Sequence, residues 1–350
     1  MKKYIILTLL IVLGVLAGCG KKEEVAKEDV YVRNVINVGF SQLGAESDWR
    51  VANTESMKSS LSLDKDFNLL FDDAQQKQDK QIMAIRKFIQ QEVDCIVLAP
   101  VTETGWDTVL KEAKDAKIPV IVTDRMVDVE DDSLYTAWVG SDFFKEGRIA
   151  CEWLKRYAEL EGIEPSELNI VDIQGTLGAT SQIGRSNALS ESAAENGWKL
   201  LESVPADYAQ TKAKEVMQQL LRKHSDINVV YCENDNEAIG VIEAIEEAGK
   251  TAGSDINSGD ILVISFDAAH SGLNMVLEGK IALDVECNPL QGEEVAWLIR
   301  DVTAGKDVEK YTYIEESVFS TYDKINGIVA DKQAFDVTIL TQEILDGRKY

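Results

Sequence analysis

The sequence predicts an α/β protein with two doubly wound parallel-sheet lobes that are joined by short crossover strands. Three observations favour this fold class. Its apolar runs are short and continuous rather than alternating, which is typical of parallel strands covered by helices on both faces. Amphipathic helical patterns separate these runs from residue 36 to about residue 299. The runs form two sets, each near the size of one domain, and no Pro-rich linker lies between the sets.

The elements follow one another in a regular order. The runs predicted as strands include Ile36–Phe40, Cys95–Ala99, Ile118–Val122, Leu168–Ile173, Val229–Cys232 and Ile261–Phe266, and a further strand is expected before Asp72. Residues 82–89 place apolar side chains at helical spacing and leave lysine and arginine for solvent, so we expect an amphipathic helix there. Another helix is expected around residues 295–299, whereas the final forty residues carry no clear pattern.

These patterns predict a division into two lobes with interleaved boundaries. The first lobe is expected to comprise residues 35–139 with about 288–318, and the second 140–287 with about 319–350.

The first 34 residues have the features of an export signal followed by a tether. Two lysines precede an apolar stretch at residues 4–16, which is too short for a comfortable membrane span. Small residues then lead directly to Cys19, and the run resembles a bacterial lipobox. We therefore expect residues 1–18 to be removed as a signal peptide and Cys19 to carry a diacylglycerol. The charged residues 19–34 would then tether the protein to the outer face of the cell membrane.

Composition excludes several classes of function. The chain has 350 residues and a formal net charge of -25, which disfavours direct binding to nucleic acid or to anionic lipid. Only two histidines occur, and no HExxH motif or Walker lysine is present, so we expect neither a metal ion nor a cofactor.

We expect a monomer. The remaining cysteines are interpreted as buried free thiols, with one disulfide left open: Cys95, Cys151, Cys232 and Cys287.

Polar residues follow six of the predicted strands, at the edge where open α/β sheets bind ligands. The segments are Ser41–Arg50, Asp72–Gln76, Thr123–Arg125, Gln174–Thr176 with Arg185 in the next helix, Glu233–Asp235 and Phe266–Asp267. Aspartate, arginine and asparagine suit the paired donors and acceptors of a neutral polyol. Trp49 could cover an apolar sugar face, and Asp124 and Arg125 could neutralise each other.

With these strand ends and several intervening segments, the chain resembles the type I periplasmic sugar-binding proteins of the ribose- and galactose-binding group. Within that group it is most similar to the galactofuranose-binding proteins of sugar ABC importers. The matching segments are Val38–Gln42 with Glu46–Arg50, Gln75–Gln78, Ala99–Val101 with Thr104–Trp106, Leu110–Ala116, Gln174–Ala179 and Asn234–Asp235. The resemblance covers about residues 36–297, and the sequence after Tyr311 departs from the family.

The resemblance implies a two-lobed Venus-flytrap protein that binds a monosaccharide and delivers it to an ABC permease. The sugar contacts that it implies are Glu46, Ser47, Asp48, Trp49, Arg50, Asp124, Arg125, Arg185, Asn234 and Asp267. A galactofuranose-binding relative carries glycine at the place of Asp48, so this side chain could alter selectivity. A second set is equally consistent with ligand contact and with core or hinge roles: Ser41, Gln42, Gln75 and Glu286.

Several alternatives remain open at the level of sequence. Asn234 and Asp267 could instead cap helices, and Arg185 could be a solvated surface charge. The same lobes could serve a sugar sensor that presents ligand to a membrane histidine kinase or chemoreceptor. A hydrolase is disfavoured because no nucleophile elbow occurs, and the acidic residues have better explanations as ligand contacts. The repressor relatives of this fold are disfavoured because the N-terminal segment is an export signal rather than a DNA-binding motif.

Overall fold

The computed structural model describes residues 35–350. The predicted signal peptide, the tether and the lipid site at Cys19 lie outside the described residues. None of the helices in the described part of the chain is long and apolar enough to cross a membrane.

The first sheet has six strands, and all of its neighbouring strands are parallel. Its strands in spatial order are β11 (Tyr311–Tyr313), β5 (Ala137–Gly140), β4 (Val120–Thr123), β3 (Cys95–Leu98), β1 (Ile36–Gln42) and β2 (Phe67–Asp73). Its helices are α1 (Asp48–Ser60), α2 (Gln78–Gln90), α3 (Asp107–Asp115) and α9 (Gly292–Thr303). Helices α2 and α3 bury Phe88 and Leu110 on one face, and α1 and α9 bury Met57 and Ile299 on the other.

The second sheet has seven strands, parallel except for one antiparallel pair, β10 with β12. Its order is β15 (Thr338–Ile339), β12 (Val318–Ser320), β10 (Leu283–Glu286), β9 (Leu262–Asp267), β8 (Val229–Cys232), β6 (Asn169–Gln174) and β7 (Lys199–Pro205). Its helices are α4 (Phe143–Glu161), α5 (Thr180–Asn196), α6 (Gln210–Lys223), α7 (Asp235–Glu247), α8 (His270–Leu277) and α10 (Gln342–Asp346). A hairpin of β13 (Gly327–Ala330) and β14 (Gln333–Asp336) packs on α4.

The chain passes between the two sheets at three places within the described residues. The crossings follow β5, β10 and β11, and they are short: residues 141–142, 287–291 and 314–317. Each lobe is therefore built from separate stretches of the chain, and the crossings bring the same edge of each sheet to a shared cleft.

The predicted fold class is confirmed, because both sheets are open, mainly parallel and covered by helices on both faces. Each of the six apolar runs overlaps an observed strand, and the helical pattern at 82–89 falls within α2. The four cysteines after residue 35 are buried and free, as expected. The final forty residues, which carried no clear pattern, form β11 to β15 and α10.

Candidate functional site

A cavity lies where the carboxyl ends of strands from both sheets face each other, and its empty space is about 280 Å³ when the part open to solvent is included. Its wall consists of Glu46, Ser47, Trp49, Arg50, Asp124, Arg125, Phe143, Ser181, Arg185, Tyr208, Asn234, Asp267 and Cys287. None of these side chains is more than 8% exposed. The cavity thus gathers every main candidate from the sequence except Asp48.

The first group of wall residues is set by the start of α1. Ser47 is the N-cap residue of this helix, and its hydroxyl accepts a hydrogen bond from the backbone N–H of Arg50 at 3.2 Å. The guanidinium of Arg50 donates to Glu46 Oε1 at 3.0 Å and to Asp124 Oδ2 at 2.6 Å. Burial alone would lower the pKa of Arg50, but Asp124 and Glu46 outweigh it and raise that pKa. Arg50 is therefore a fixed cation at the cavity wall.

Asp124 and Arg125 do not neutralise each other, which differs from the expectation. Asp124 pairs with Arg50, whereas Arg125 Nη2 lies 3.6 Å from Glu46 Oε1. The cause is local backbone geometry, since Asp124 ends its strand with a left-handed φ of 61°, so consecutive side chains point to different partners. Arg125 also donates to the carbonyl of Val101 at 2.8 Å, while its Nε is buried without a partner among residues 35–350. This N–H is free to bind a ligand in the cavity.

Arg185 is the corresponding cation of the second lobe. Its Nε donates to Glu146 Oε2 at 2.8 Å, and its Nη1 donates to the carbonyl of Glu233 at 2.5 Å. Burial disfavours its charge, yet Glu146 and Asp267 more than compensate and raise the pKa of Arg185 well above its ordinary value. Its guanidinium also lies 4.7 Å above the ring of Phe266. The alternative of a solvated surface charge is therefore wrong.

Asn234 and Asp267 follow adjacent strands of the second sheet. Asn234 caps α7, since its side chain accepts from the backbone N–H of Glu237 at 2.8 Å, and it also lines the cavity. Asp267 does not cap a helix, because the N-cap residue of α8 is Ala269. Burial raises the pKa of Asp267 well above its ordinary value, and Arg185 only partly opposes this. A carboxyl group with a raised pKa can donate a hydrogen bond as well as accept one.

Trp49 is held rigidly against the crossing between lobes. Its indole N–H donates to the carbonyl of Cys287 at 2.5 Å, and its ring packs with Phe143. The guanidinium of Arg50 lies 4.5 Å from the ring centroid. An aromatic face in a fixed orientation is suited to packing against the C–H face of a sugar.

Five of the candidates lie away from the cavity wall. Ser41 and Gln42 are buried in β1, where the Gln42 amide donates to Asn53 Oδ1 at 3.0 Å and supports α1. Gln75 is exposed in the loop after β2. Glu286 accepts from Arg348 at 2.8 Å and from the backbone N–H of Ser317 at 2.7 Å, which is a role at the crossings. Asp48 is exposed at the start of α1 and contacts the opposite lobe instead of the cavity.

The wall also contains residues that were not predicted: Phe143, Ser181, Tyr208 and Cys287. Tyr208 follows β7, and its hydroxyl lies 2.7 Å from Ser181 Oγ and its ring 5.2 Å from the Arg125 guanidinium across the cleft. Only its position in the sequence could have identified Tyr208 as a candidate, because it comes shortly after a strand of the second lobe, as Asn234 does. Phe143 and Cys287 lie beside the crossings, for which the sequence offers no pattern.

Among the described residues, one group of three side chains has the proximity of metal ligands. Atoms of Glu146, Cys287 and Glu316 lie within 4.8 Å of one another. Glu146 is committed to Arg185, and Glu316 accepts a short hydrogen bond from Ser141. The adjacent guanidinium opposes a bound cation, so we assign no metal to this group.

The wall contains basic and acidic side chains in equal number. Three arginines, Arg50, Arg125 and Arg185, face three acidic side chains: Glu46, Asp124 and Asp267. Fixed donors, acceptors and aromatic faces in a buried cavity are suited to a small, neutral, hydroxyl-rich molecule.

Comparison with known proteins agrees with this geometry. A family model described as a periplasmic binding protein domain matches residues 38–307. The galactofuranose-binding protein YtfQ of Escherichia coli (strain K12) is 40% identical over 259 residues, which cover 73% of this chain and 78% of that protein.

Two solved structures are similar over most of the chain. A Mycobacterium smegmatis protein in complex with β-D-fucofuranose has a TM-score of 0.77 at 42% identity, covering 82% of this chain and 91% of that one. The binding-protein component of the arabinose ABC transporter from Shewanella sp. ANA-3, bound to α- and β-L-arabinofuranose, has a TM-score of 0.75 at 38% identity, with 81% and 91% covered. These findings confirm the resemblance: the chain belongs to the type I periplasmic sugar-binding proteins and is similar to galactofuranose binders.

Proposed function

We propose that this protein captures a neutral monosaccharide outside the cytoplasm and delivers it to an ABC-type sugar importer. Galactofuranose or a related hexose or pentose is the expected ligand. The observation that carries the proposal is the buried cavity, whose wall comes from both lobes and places three guanidinium groups opposite three acidic side chains. In this function the protein performs no chemical conversion and remains attached to the membrane through a lipid on Cys19.

The charge balance favours a neutral ligand over an anionic one. A phosphate or carboxylate on the ligand would add negative charge to a site whose arginines already have partners, as Arg50 has in Asp124. Sugar hydroxyls can donate to Asp124 or Asp267 and accept from Arg125 without changing the net charge of the cavity. Phosphorylated sugars should therefore be excluded.

The furanose form of the ligand is supported by the relatives. YtfQ is named for galactofuranose, and the two similar solved structures contain fucofuranose and arabinofuranose. These sugars differ in size and substitution but share a five-membered ring. We therefore expect a furanose ring against Trp49, with the identity of the exocyclic group left to experiment.

Binding should proceed by hinge closure. The wall residues are at most 8% exposed, so a sugar could enter only when the lobes separate about the three crossings. Closure would then bury the ligand and form the surface that a permease recognises. The arabinose relative is a component of an ABC transporter, which favours import over sensing.

Calorimetric titration of the mature domain against a monosaccharide panel tests this function. The panel should contain galactose, arabinose, fucose, ribose and fructose, with galactose 6-phosphate as the anionic comparison. We expect saturable binding of at least one neutral sugar at about micromolar affinity, or about -8 kcal/mol, and none of the phosphate. Preferential binding of the phosphorylated sugar, or no binding of any sugar, would show that the cavity has been misread.

A reconstituted importer distinguishes transport from sensing. An ATPase and permease that this protein serves should hydrolyse ATP faster when sugar-loaded protein is added. A histidine kinase that responds to the loaded protein, with no effect on an ATPase, would support the sensor instead.

A further inference from the structure

Asp48 lies beside the cavity without forming part of its wall. It is the first residue of α1, between Ser47 and Trp49, which both line the cavity. Consecutive residues of a helix point in directions about 100° apart, so Asp48 is turned toward the rim of the cleft, where it is exposed. This position argues against direct ligand contact.

The partners of Asp48 belong to the opposite lobe. Its carboxylate Oδ2 accepts a hydrogen bond from Ser271 Oγ at 2.8 Å, and its backbone N–H donates to Asn236 Oδ1 at 3.0 Å. Ser271 and Asn236 lie in the first turns of α8 and α7, which pack on the second sheet. The carboxylate is therefore close to the N-termini of α1 and α8, where negative charge is stabilised.

The opposite rim of the cleft is held in a different way. There the backbone N–H of Glu103 donates to the carbonyl of Gly178 at 2.9 Å, and the N–H of Met126 donates to Thr180 Oγ1 at 2.9 Å. Hydrogen bonds thus join the lobes on both sides of the cavity. At the Asp48 rim one of the two hydrogen bonds depends on a carboxylate, so a substitution can remove the bond to Ser271 while the wall and the backbone bond to Asn236 stay intact.

We infer that Asp48 is a latch residue, which prolongs the closed state by bonding to Ser271 and Asn236 without touching the sugar. This inference rests on the proposed function, because it concerns release of the same ligand. A latch acts on the closed population, so every ligand that requires closure is affected by the same factor. A contact residue would instead change the order of preference among sugars.

The test is stopped-flow measurement of sugar dissociation by tryptophan fluorescence, with small-angle scattering of the ligand-free protein. Asp48→Ala should raise the dissociation rate by about 3- to 10-fold for every sugar that binds, with little change in the association rate. Ser271→Ala should have a similar effect, and the double variant should be no faster than the more affected single variant. Asp48→Asn can still accept a hydrogen bond from Ser271, so its dissociation rate should rise less.

Asp79→Ala is the matched control. Asp79 is also an exposed acid in the first turn of a first-lobe helix, α2, but it is not at the cleft. Sugar should dissociate from this variant at the wild-type rate. That result would distinguish the latch from a general effect of removing an acid from a helix N-terminus.

Two results would overturn the latch. One is an Asp48→Ala protein whose loss of affinity differs strongly from one sugar to another, which would make Asp48 a ligand contact. The other is an unchanged dissociation rate. If the wild type binds no sugar, the proposed function fails, and scattering then decides the latch alone: either a ligand-free wild type that is open, or an Asp48→Ala protein as compact as a closed wild type, would refute it.

Discussion

We expect the protein to become less stable as pH rises, and replacing Asp172 by asparagine should make this loss of stability smaller. Asp172 is buried in β6, and Ser186 Oγ donates to its Oδ2 at 3.3 Å. The same hydroxyl lies 2.6 Å from Glu233 Oε1, and one proton cannot serve both carboxyls. Burial raises the pKa of Asp172 to about 7, despite hydrogen bonds that lower it. Burial and the nearby Asp172 raise the pKa of Glu233 well above its ordinary value.

The direction of the effect follows from proton binding. Aspartate in an unfolded chain has a pKa of about 3.9, so between about pH 4 and pH 7 the folded protein holds a proton that the unfolded chain has released. The stabilisation is complete below about pH 4 and is lost as pH rises through about 7, at about 1.36 kcal/mol per pH unit. From about pH 5 to about pH 8, Asp172 alone accounts for roughly 2–3 kcal/mol.

Urea unfolding at about pH 5, 6, 7 and 8 measures this contribution. The free energy of unfolding of the wild type should fall across the series, and that of Asp172→Asn should fall by roughly 2 kcal/mol less, because its amide does not titrate. Asp115→Asn, at an exposed position paired with Lys111, should follow the wild type. Either of two results would contradict a protonated Asp172 in the folded protein. One is a wild type that becomes more stable as pH rises. The other is an Asp172→Asn protein whose free energy of unfolding falls with pH as steeply as that of the wild type.

The remaining predictions concern ligand binding and the anchor. Arg125→Ala should weaken sugar binding by about 2–4 kcal/mol in calorimetry, because Glu46 loses one of its two arginine partners and sugar hydroxyls lose a donor in a buried cavity. The exposed Arg86→Ala is its control, and equal affinities of the two variants would contradict the site. Trp49→Ala should cost roughly 1–3 kcal/mol through lost contact with one sugar face, whereas substitution of exposed Trp297 should have no effect. Saturating sugar should reduce the radius of gyration in small-angle scattering, and an unchanged radius with confirmed binding would exclude hinge closure. Substitution of Cys19 by serine should abolish metabolic labelling with a fatty acid, and equal labelling of variant and wild type would rule out the lipid anchor.

The main part of the site could be predicted because its residues lie at the carboxyl ends of strands that are recognisable in the sequence. Continuous apolar runs mark β4, β8 and β9, and parallel strands bring their carboxyl ends to one edge. Asp124, Asn234 and Asp267 therefore meet at the cavity although they are far apart in the sequence.

The pairings within the site could not be predicted in the same way. Glu146, which holds Arg185, lies on α4 just after a crossing, and its proximity depends on the path of the chain between lobes. Tyr208 follows β7, an edge strand with only partly buried residues and no continuous apolar run. The left-handed backbone at Asp124 decided its partner, and a strand-end pattern carries no information on that angle.

The three crossings have a consequence for how the protein is made. The first sheet receives its edge strand β11, and one face receives its covering helix α9, only after the first five strands of the second sheet, β6 to β10, have been synthesised. Neither lobe can therefore finish folding as the chain emerges, and the last forty residues complete both. A chain that stays incomplete until its C-terminal end has been delivered is compatible with export in an unfolded state. It also means that a premature stop near residue 310 would leave two unfinished domains rather than one sound lobe and one missing lobe.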